Sequence, residues 1–217
     1  MIEIAPSILT ADFAALGEAV AALERAGADL LHLDVMDGQF VPPITFGAGM
    51  VAALKARTAL PVDAHLMVRQ PERQVEAFAQ AGVSILTVHA EATDDPKALL
   101  RRIRVLGVRA GLSINPETPV ETLFPLLGEM DMALIMSVRP GYGGQKYLPE
   151  SAGRIARLRA EADRQGVALA IEVDGGINRE TIGEVVRAGA TVIVAGSAVL
   201  NAPDWAEAIA ALREAAR

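Results

Sequence analysis

The sequence contains no cysteine, and this absence excludes several kinds of chemistry. Without thiols the chain forms no disulfides, has no thiolate nucleophile and cannot hold zinc or iron–sulfur clusters through cysteine. Aromatic residues are also scarce, at 4% of 217 residues, whereas hydrophobic residues make up 52%. We therefore expect an aliphatic core, as in parallel sheets whose strands are buried on both faces.

The sequence has no excess of basic residues and no long uncharged apolar run. Its 20 Lys and Arg are outnumbered by 27 Asp and Glu, which gives a formal net charge of −7. Because nucleic-acid binding depends on basic surface, we expect no nucleic-acid partner. No segment resembles a membrane span, and Met1–Ile4 lacks the features of a signal peptide, so we expect a cytoplasmic protein without a membrane partner.

Short β-branched runs alternate with longer amphipathic segments along the whole chain. The predicted strands are Glu3–Ser7, Leu30–Asp34, Val62–Met67, Ile85–His89, Ala110–Ile114, Met132–Val138, Ala168–Asp174 and Val192–Ala195. The predicted helices are Asp12–Ala26, Gly49–Arg57, Glu72–Ala81, Pro96–Leu106, Val120–Leu126, Ala152–Gln165, Arg179–Ala188 and Trp205–Ala215. Since no Ser- or Pro-rich linker interrupts this alternation, we expect residues 1–217 to form a single domain.

Two α/β architectures compete for such a pattern, an open doubly wound sheet and a closed barrel. A run of eight similar strand–helix units is typical of the barrel. Polar residues follow the strands all along the chain, whereas an open sheet would gather them where its strand order reverses. The sequence therefore predicts a single (β/α)8 TIM barrel whose site lies at the carboxyl ends of the strands.

Two histidines and two aspartates near predicted strand ends form a candidate metal site: His32, Asp34, His65 and Asp174. His32 and Asp34 are two residues apart on one strand and so face the same way. A histidine on a buried strand is more often a hydrogen-bonded core residue than a ligand. However, all 3 histidines, including His89, lie at predicted strand ends, which favours a shared site for a divalent ion.

Glycine clusters follow three of the predicted strands, at Gly141–Gly144, Gly175–Gly176 and Gly196–Ser197. Glycine lets backbone N–H groups approach an anion closely, and the last two clusters lie where barrels often bind phosphate. Each cluster alone can be a tight turn, which is how we interpret Asp37 with Gly38. Together they predict a phosphate-ester site, with Gly141–Gly144 long enough to act as a lid.

Met36, Met67 and Met136 lie at or just past predicted strand ends. Methionine in such positions usually fills gaps in the core. The alternative is that the three side chains pack around a planar reaction intermediate, with polarizable sulfur beside delocalised charge. Both interpretations stay open at the level of the sequence.

These residues belong to motifs in which the sequence resembles the ribulose-phosphate 3-epimerase family over nearly its whole length. The matching segments are Pro6–Leu9 with Ala11–Phe13, His32–Gly38 with Phe40–Pro42, His65–Val68, Pro140–Gln145, Glu172–Gly176 and Gly196–Ala198. Each motif alone is modest, but their order and spacing together are specific.

The resemblance implies a reaction, the reversible conversion of D-ribulose 5-phosphate into D-xylulose 5-phosphate in the pentose phosphate pathway or in carbon fixation. It implies that His32, Asp34, His65 and Asp174 bind one divalent ion, which would be zinc, iron(II), manganese or cobalt. Asp34 and Asp174 would also be the catalytic acid and base, on opposite faces of the substrate. No organic cofactor is expected.

The resemblance further implies which residues hold the sugar phosphate. They are Ser7, His65, Gly141, Tyr142, Gly143, Gly144, Gly175, Gly176, Gly196 and Ser197. Because relatives are often dimers or hexamers, a homo-oligomer is expected. The chain departs from the usual family pattern at Pro43, Arg139, Tyr142 and Tyr147, and we hypothesise that Arg139 strengthens phosphate attraction beside the glycine loop.

Three other functions compete with this interpretation. An epimerase for another ketose phosphate, such as D-allulose 6-phosphate, would tend to have Ser in place of Gly176 and an altered glycine loop. A carbon–carbon lyase or decarboxylase on a similar barrel would use an Asp-x-Lys-x-x-Asp arrangement, and residues 34–37 lack the lysine. A non-catalytic sugar-phosphate-binding barrel would be expected to have lost a ligand or a base, and none is missing.

Overall fold

The structure, a computed structural model, describes residues 2–217 and places eight parallel strands in one sheet. The strands are β1 (Glu3–Ala5), β2 (Leu31–Met36), β3 (Val62–Met67), β4 (Ile85–His89), β5 (Arg109–Ile114), β6 (Met132–Met136), β7 (Ala170–Asp174) and β8 (Val192–Val194). Strands adjacent in the chain are adjacent in space from β2 to β8, and β8 then pairs with β1.

The sheet is closed between β1 and β2 by a parallel bridge between Ser7 and His32. The His32 N–H donates to the carbonyl oxygen of Pro6 at 3.1 Å. An open doubly wound sheet would reverse its strand order and leave two edges, and neither is observed among these strands. The predicted barrel is therefore confirmed.

Helices follow the strands and surround the barrel. The α-helices are α1 (Leu16–Arg25), α2 (Ala48–Lys55), α3 (Val75–Gln80), α4 (Pro96–Val105), α5 (Glu150–Gln165), α6 (Ile182–Ala188), α7 (Ser197–Leu200) and α8 (Trp205–Ala215). Shorter 3₁₀ segments cover Ile8–Thr10, Phe13–Ala15, Pro71–Arg73 and Ala90–Ala92, and a longer one covers Val120–Glu129. None of the helices within residues 2–217 has the length and apolar character needed to cross a membrane.

The two faces of the barrel wall differ in polarity. On β2, Leu31, Leu33 and Val35 belong to the aliphatic core that also contains Val20 and Leu23 of α1. The alternate residues of β2 include buried polar side chains that face the barrel interior. Because side chains alternate along a strand, one short sequence supplies both the packing against helices and the chemistry inside the barrel.

Two predicted strand bounds were wrong in a way that affects the site. β2 covers Leu31–Met36 instead of Leu30–Asp34, so four residues of the strand follow His32, which lies deep in the barrel. β1 ends at Ala5 instead of Ser7, because Pro6 has no N–H for the ladder and Ser7 caps the 3₁₀ turn that follows.

Two predicted helices also differ from the structure in type, and one helix of the structure was not predicted. Val120–Leu126 is part of a 3₁₀ helix, since Pro125 inside it can neither donate a hydrogen bond nor fit beside an α-helical carbonyl. The helix predicted at Asp12–Ala26 begins with the 3₁₀ turn Phe13–Ala15, capped by the Asp12 carboxylate. The short helix α7 was not predicted at all, because its four residues are too few to show a helical period.

Candidate active site

The four predicted metal ligands lie together inside the barrel. One nitrogen or oxygen atom from each of His32, Asp34, His65 and Asp174 can be chosen so that all lie within 4.8 Å of one another. Asp34 Oδ1 is 3.4 Å from His32 Nε2 and 3.2 Å from His65 Nδ1. A tetrahedral ion with nitrogen and oxygen ligands would hold these atoms roughly 3.4 Å apart. The spacing therefore fits a divalent ion.

Strand register explains why these side chains meet. Asp34 and His65 stand opposite each other in the β2–β3 pair, and His32 lies on the same face of β2, two residues before Asp34. Asp174 closes the cluster from the last position of β7. Both ring nitrogens of the buried His32 lack a hydrogen-bond partner in the described chain, and Nε2, which lies on the side of Asp34, is therefore free to bind an ion.

The two carboxylates of the cluster differ in their protonation. Burial alone would raise the pKa of Asp34, but the neighbouring His32 and His65 outweigh it and hold that pKa well below its usual range. Burial, aided by the charge of Asp34, raises the pKa of Asp174 to about 7. Ser7 Oγ donates to Asp34 Oδ2 at 2.6 Å, which further favours the ionised form of Asp34. The metal-free site thus pairs an ionised carboxylate with one that titrates near neutral pH.

Beneath the cluster, His32 contacts two buried carboxylates. Its Nδ1 lies 2.8 Å from Asp63 Oδ2 and 3.3 Å from Glu172 Oε1, without hydrogen-bond alignment to either. Burial would lower the pKa of His32, but Glu172 and Asp34 raise it well above its usual value. Burial and the charge of Asp63 raise the pKa of Glu172 to about 8. Thr87 Oγ1 donates to Asp63 Oδ1 at 2.9 Å, so a polar layer supports His32 from below.

Sequence reasoning gave no role to Asp63 or Glu172. A usable signal was present, since Asp63 lies two residues before His65 and Glu172 two residues before Asp174. Residues two apart on a strand share a face, so each carboxylate had to point into the barrel beside a predicted ligand.

A second chain of polar contacts leads away from His65. Its Nε2 lies 2.8 Å from His89 Nε2, and His89 Nδ1 lies 3.3 Å from Glu91 Oε2. Glu91 Oε1 in turn accepts from the Asn115 backbone N–H at 2.8 Å and from the Thr118 hydroxyl. Although burial opposes it, hydrogen bonds from His89, Thr118 and Asn115 lower the pKa of Glu91 to about 2. Sequence reasoning gave neither His89 nor Glu91 a separate function.

A cavity lies above the cluster at the carboxyl ends of the strands. Its wall includes every predicted site residue except His32 and His65, namely Ser7, Asp34, Met36, Met67, Met136, Gly141, Tyr142, Gly143, Gly144, Asp174, Gly175, Gly176, Gly196 and Ser197. The side chains of His32 and His65 are fully buried. The predicted contact between His65 and the substrate stays a prediction.

The three methionines line this cavity as well as filling space. Met36 and Met67 are partners in the β2–β3 register and pack with Val41, while Met136 packs with Val138. All three methionines are almost completely buried. The side chains form an apolar rim around the two carboxylates, which is compatible with both interpretations given to them.

The glycine clusters come close together on the opposite side of the cavity. Gly176 has φ of 66°, and a Cβ at this position would collide with the backbone of Tyr147 just after the glycine loop. Gln145 Nε2 donates to the carbonyl oxygens of Arg139 at 2.7 Å and Tyr142 at 2.8 Å, which braces the loop from within. Only glycine at position 176 allows the loop to lie against the end of β7.

Two of the smaller sequence interpretations can be compared with the structure. Asp37 does form the expected turn, because its Oδ1 accepts from the N–H groups of Gln39 and Phe40. Arg139 lies in the cavity wall, but its Nε donates to Glu117 Oε1 at 2.6 Å and its side chain is 78% exposed. The guanidinium is thus already paired with a carboxylate.

Curated relatives share close sequence similarity with this chain. The ribulose-phosphate 3-epimerase of Bacillus subtilis is 47% identical over 214 residues, which cover 98% of this chain and 99% of the relative. The enzyme of the same name from Synechocystis is 49% identical, with 100% and 95% covered. A chloroplastic ribulose-5-phosphate-3-epimerase from Arabidopsis thaliana is 45% identical, with 99% and 77% covered.

Solved structures with low sequence identity share the fold. A structure of KGPDC from Streptococcus mutans is 13% identical, with a TM-score of 0.77 and coverage of 99% and 97%. A 3-hexulose-6-phosphate synthase is 20% identical, with a TM-score of 0.71 and coverage of 100% and 99%. These likenesses independently support the barrel.

The sequence comparison extends to the family as a whole. The model of the ribulose-phosphate 3 epimerase family matches residues 3–200, a range that contains all the strands and every side chain of the site. The members named above are epimerases, which are isomerases. The chain belongs to the ribulose-phosphate 3-epimerase family.

Proposed function

We propose that this protein interconverts D-ribulose 5-phosphate and D-xylulose 5-phosphate by moving a proton at C3. The observation that carries the proposal is the placement of Asp34 and Asp174 beside two histidines, at the floor of a cavity rimmed by glycine backbone. Family membership and the curated relatives support the same reaction.

The two carboxylates supply both halves of the proton transfer. The C3 proton of a 2-ketose is acidic because of the adjacent C2 carbonyl, and inversion requires that it leave one face and a new proton arrive on the other. In the site without a bound ion, ionised Asp34 is suited to accept a proton, and Asp174, with a pKa of about 7, can hold or release one near neutral pH. The roles exchange for the reverse reaction, and a single base would tend to return the proton to its original face.

We propose that His32 Nε2, His65 Nδ1 and the carboxylates of Asp34 and Asp174 hold one divalent ion. A mixed nitrogen and oxygen ligand set is compatible with zinc, iron(II), manganese or cobalt. When bound, the metal supplies Lewis-acid stabilisation of the negative charge that develops on the substrate. The strands of this chain orient the two carboxylates, and the side chains of Met36, Met67 and Met136 exclude water from C3 when it becomes planar during the reaction.

Backbone groups, more than basic side chains, are proposed to bind the phosphate. Arg139 is the only basic residue of the described cavity wall, and it is paired with Glu117. An acidic protein needs local donors for an anion, and the backbone N–H groups at Gly176, Gly196 and Ser197 can provide them. Gly141–Gly144 would then close over the sugar phosphate as a lid, with Ser7 and Gly175 completing the wall.

The decisive experiment follows hydrogen exchange at C3. Metal-replete protein is incubated with ribulose 5-phosphate in D2O, and C3 is monitored by NMR beside D-allulose 6-phosphate as the competing substrate. We expect xylulose 5-phosphate that carries deuterium at C3 and a much slower reaction with allulose 6-phosphate. Protein that binds metal but neither exchanges the proton nor forms xylulose 5-phosphate would contradict the proposal and favour a silent sugar-phosphate-binding barrel.

Assembly and location extend the same proposal. We infer that the chain works in the cytoplasm as a homo-oligomer, a dimer or a hexamer, and that residues 1–217 unfold as a single domain. Family resemblance supports the oligomer, and light scattering on the purified protein measures it. A monomer at micromolar concentration would contradict this part of the proposal without affecting the reaction.

A further inference from the structure

We propose that His89 and Glu91 are positioning residues that fix the tautomer of His65, so that His65 Nδ1 turns an unprotonated lone pair toward the metal. The inference rests on the proposed metal-dependent function and deepens it. It assigns a task to the polar chain Glu91–His89–His65, which runs from the outer end of β4 to the ligand cluster.

The chain of contacts begins at a group that can only accept. Glu91 Oε1 already accepts from the Asn115 backbone N–H and from the Thr118 hydroxyl, both on the β5 side of the carboxylate. These two donors hold the carboxylate in its ionised form, which has no proton to give. Glu91 Oε2, 3.3 Å from His89 Nδ1, must therefore receive a proton from the imidazole.

The orientation of this first bond determines the second. A neutral imidazole that donates through Nδ1 has a lone pair at Nε2. His89 Nε2 lies 2.8 Å from His65 Nε2, a distance at which one nitrogen must donate to the other. Since His89 Nε2 accepts, His65 Nε2 carries the proton and donates it.

The consequence appears at the other nitrogen of His65. With the proton at Nε2, Nδ1 is left with its lone pair, and this is the nitrogen that lies 3.2 Å from Asp34 Oδ1 within the ligand cluster. Without an ion, Asp34 Oδ1 competes with Glu91 for the proton, because its contact with Nδ1 has hydrogen-bond geometry; an ion that binds both atoms removes that competition. The reverse order of bonds would put a proton on Nδ1, where it would donate to Asp34 and block the metal. Partners of this kind, behind the ligands themselves, commonly fix the tautomer of metal-binding histidines.

Packing excludes water from the polar contacts between Glu91 and His65 and keeps the two imidazoles aligned. His65 and His89 are completely buried, and their rings stack with centroids 4.9 Å apart and planes 25° from parallel. The ring of Phe40 covers His89 at a centroid distance of 4.8 Å. Because both imidazoles are buried, water cannot replace these hydrogen bonds and so allow their direction to reverse.

An isosteric change at Glu91, which reaches the ligand His65 only through His89, tests the direction of these hydrogen bonds. In Glu91→Gln the amide oxygen can keep the Asn115 and Thr118 donors, which turns the NH2 group toward His89 Nδ1. His89 must then accept at Nδ1 and donate from Nε2, so that His65 Nε2 becomes the acceptor and the proton moves to Nδ1. Titration with zinc should show a Kd roughly 10- to 100-fold weaker than wild type.

Nitrogen-15 NMR of the metal-free protein reads the tautomer directly, and 3 histidines make the spectrum assignable. We expect a larger fraction of His65 to be protonated at Nε2 in wild type than in Glu91→Gln, where the proton moves to Nδ1, a change that a merely structural role would not produce. His89→Leu removes the acceptor and should leave a mixture of tautomers with intermediate zinc affinity. Glu76→Gln, at an exposed carboxylate that contacts Arg102, is the matched control and should change neither readout.

The outcomes separate this inference from the proposed function. A His65 tautomer that is the same in wild type and Glu91→Gln, or a Glu91→Gln variant that binds zinc within twofold of wild type, would overturn the positioning role while leaving the metal site intact. A wild-type protein that binds no zinc, manganese, cobalt or iron(II) would overturn the metal centre itself, and with it the purpose assigned to the polar chain.

Discussion

The two sides of the cavity work by different means. On the side of β2 and β3, the proposed chemistry belongs to side chains, since His32, Asp34 and His65 project from strands held in register. On the side of β7 and β8, the proposed phosphate site belongs to the backbone, because Gly175, Gly176 and Gly196 line the cavity wall without side chains. Asp174 at the end of β7 joins the two. Proton transfer and anion binding therefore make different demands on the sequence.

The largest effect is expected where the two sides meet. Asp34→Asn and Asp174→Asn each remove one partner of the proposed proton transfer, and each should lower kcat by about 10²- to 10⁴-fold in the C3 exchange assay. Asp34→Asn also loses a carboxylate that accepts from Ser7. With metal content measured for each variant, a fully loaded Asp174→Asn that retained wild-type kcat would show that proton transfer does not need two carboxylates.

The side chains of the β2 and β3 side were easier to predict from the sequence than the polar groups that contact them. The spacing of His32 and Asp34, and the position of His65 on the next strand, follow from the period of a β-strand. Asp63 and Glu172 were missed although their two-residue spacing from His65 and Asp174 was a usable signal, whereas the roles of His89 and Glu91 depend on which strands are neighbours and on depth in the barrel. Neither property is visible in a single strand's sequence.

For the β7 and β8 side, the sequence predicted the positions of the glycine clusters but not their contacts. Glycine clusters after the predicted strands indicated close approach of an anion, but the contact between Gly176 and the backbone of Tyr147 joins segments far apart in the chain. The braces from Gln145 depend on loop conformation in the same way. Boundary errors had local causes, such as Pro6 and Pro125, whose missing N–H groups end or tighten an element.

A pair of glycine substitutions tests why the β7 and β8 side of the cavity requires glycine. Gly176 and Gly144 have similar φ values of 66° and 73°, but only a Cβ at 176 meets backbone atoms. Gly144→Ala should cost about 1–2 kcal/mol of unfolding free energy for the left-handed conformation alone. Gly176→Ala should cost more and also raise KM, because the end of β7 and the loop must move apart.

Denaturant unfolding and steady-state kinetics on the two variants measure both effects. Metal binding should stay close to wild type in Gly144→Ala and should weaken in Gly176→Ala, because Asp174 lies at the end of β7 that must move. Equal losses of stability and equal KM values would mean that strain at φ, and not the contact with Tyr147, accounts for the requirement for glycine.

The affinity of the ligand cluster for a metal ion should depend on pH. Asp174, with a pKa of about 7, and His32, with a raised pKa, must both lose protons before they can act as ligands. Apparent metal affinity should therefore rise with pH through about 7, with protons released on binding. Calorimetry in buffers of different ionisation enthalpy counts those protons, and Asp174→Asn should release fewer.

The same shift has a consequence for the metal-free protein. The pKa of Asp174 is raised from 3.8 to about 7 on folding, so its protonated form contributes stability that is fully present below 3.8 and is lost as pH rises through about 7. Glu172, with a pKa of about 8, acts in the same direction. Metal-free protein should thus have a lower Tm at pH 8 than at pH 5, and zinc should reduce that difference.

The smallest effect is expected at Arg139, the one basic residue in the described cavity wall. Its guanidinium is 78% exposed and paired with Glu117, and exposed ion pairs of this kind contribute about 0–1 kcal/mol. Arg139→Ala should therefore change KM for ribulose 5-phosphate by less than about twofold. A much larger rise in KM at low salt, absent at high salt, would instead support the hypothesis that Arg139 attracts the phosphate. Glu117→Gln discriminates further, because freeing the guanidinium should lower KM only if Arg139 can reach the substrate.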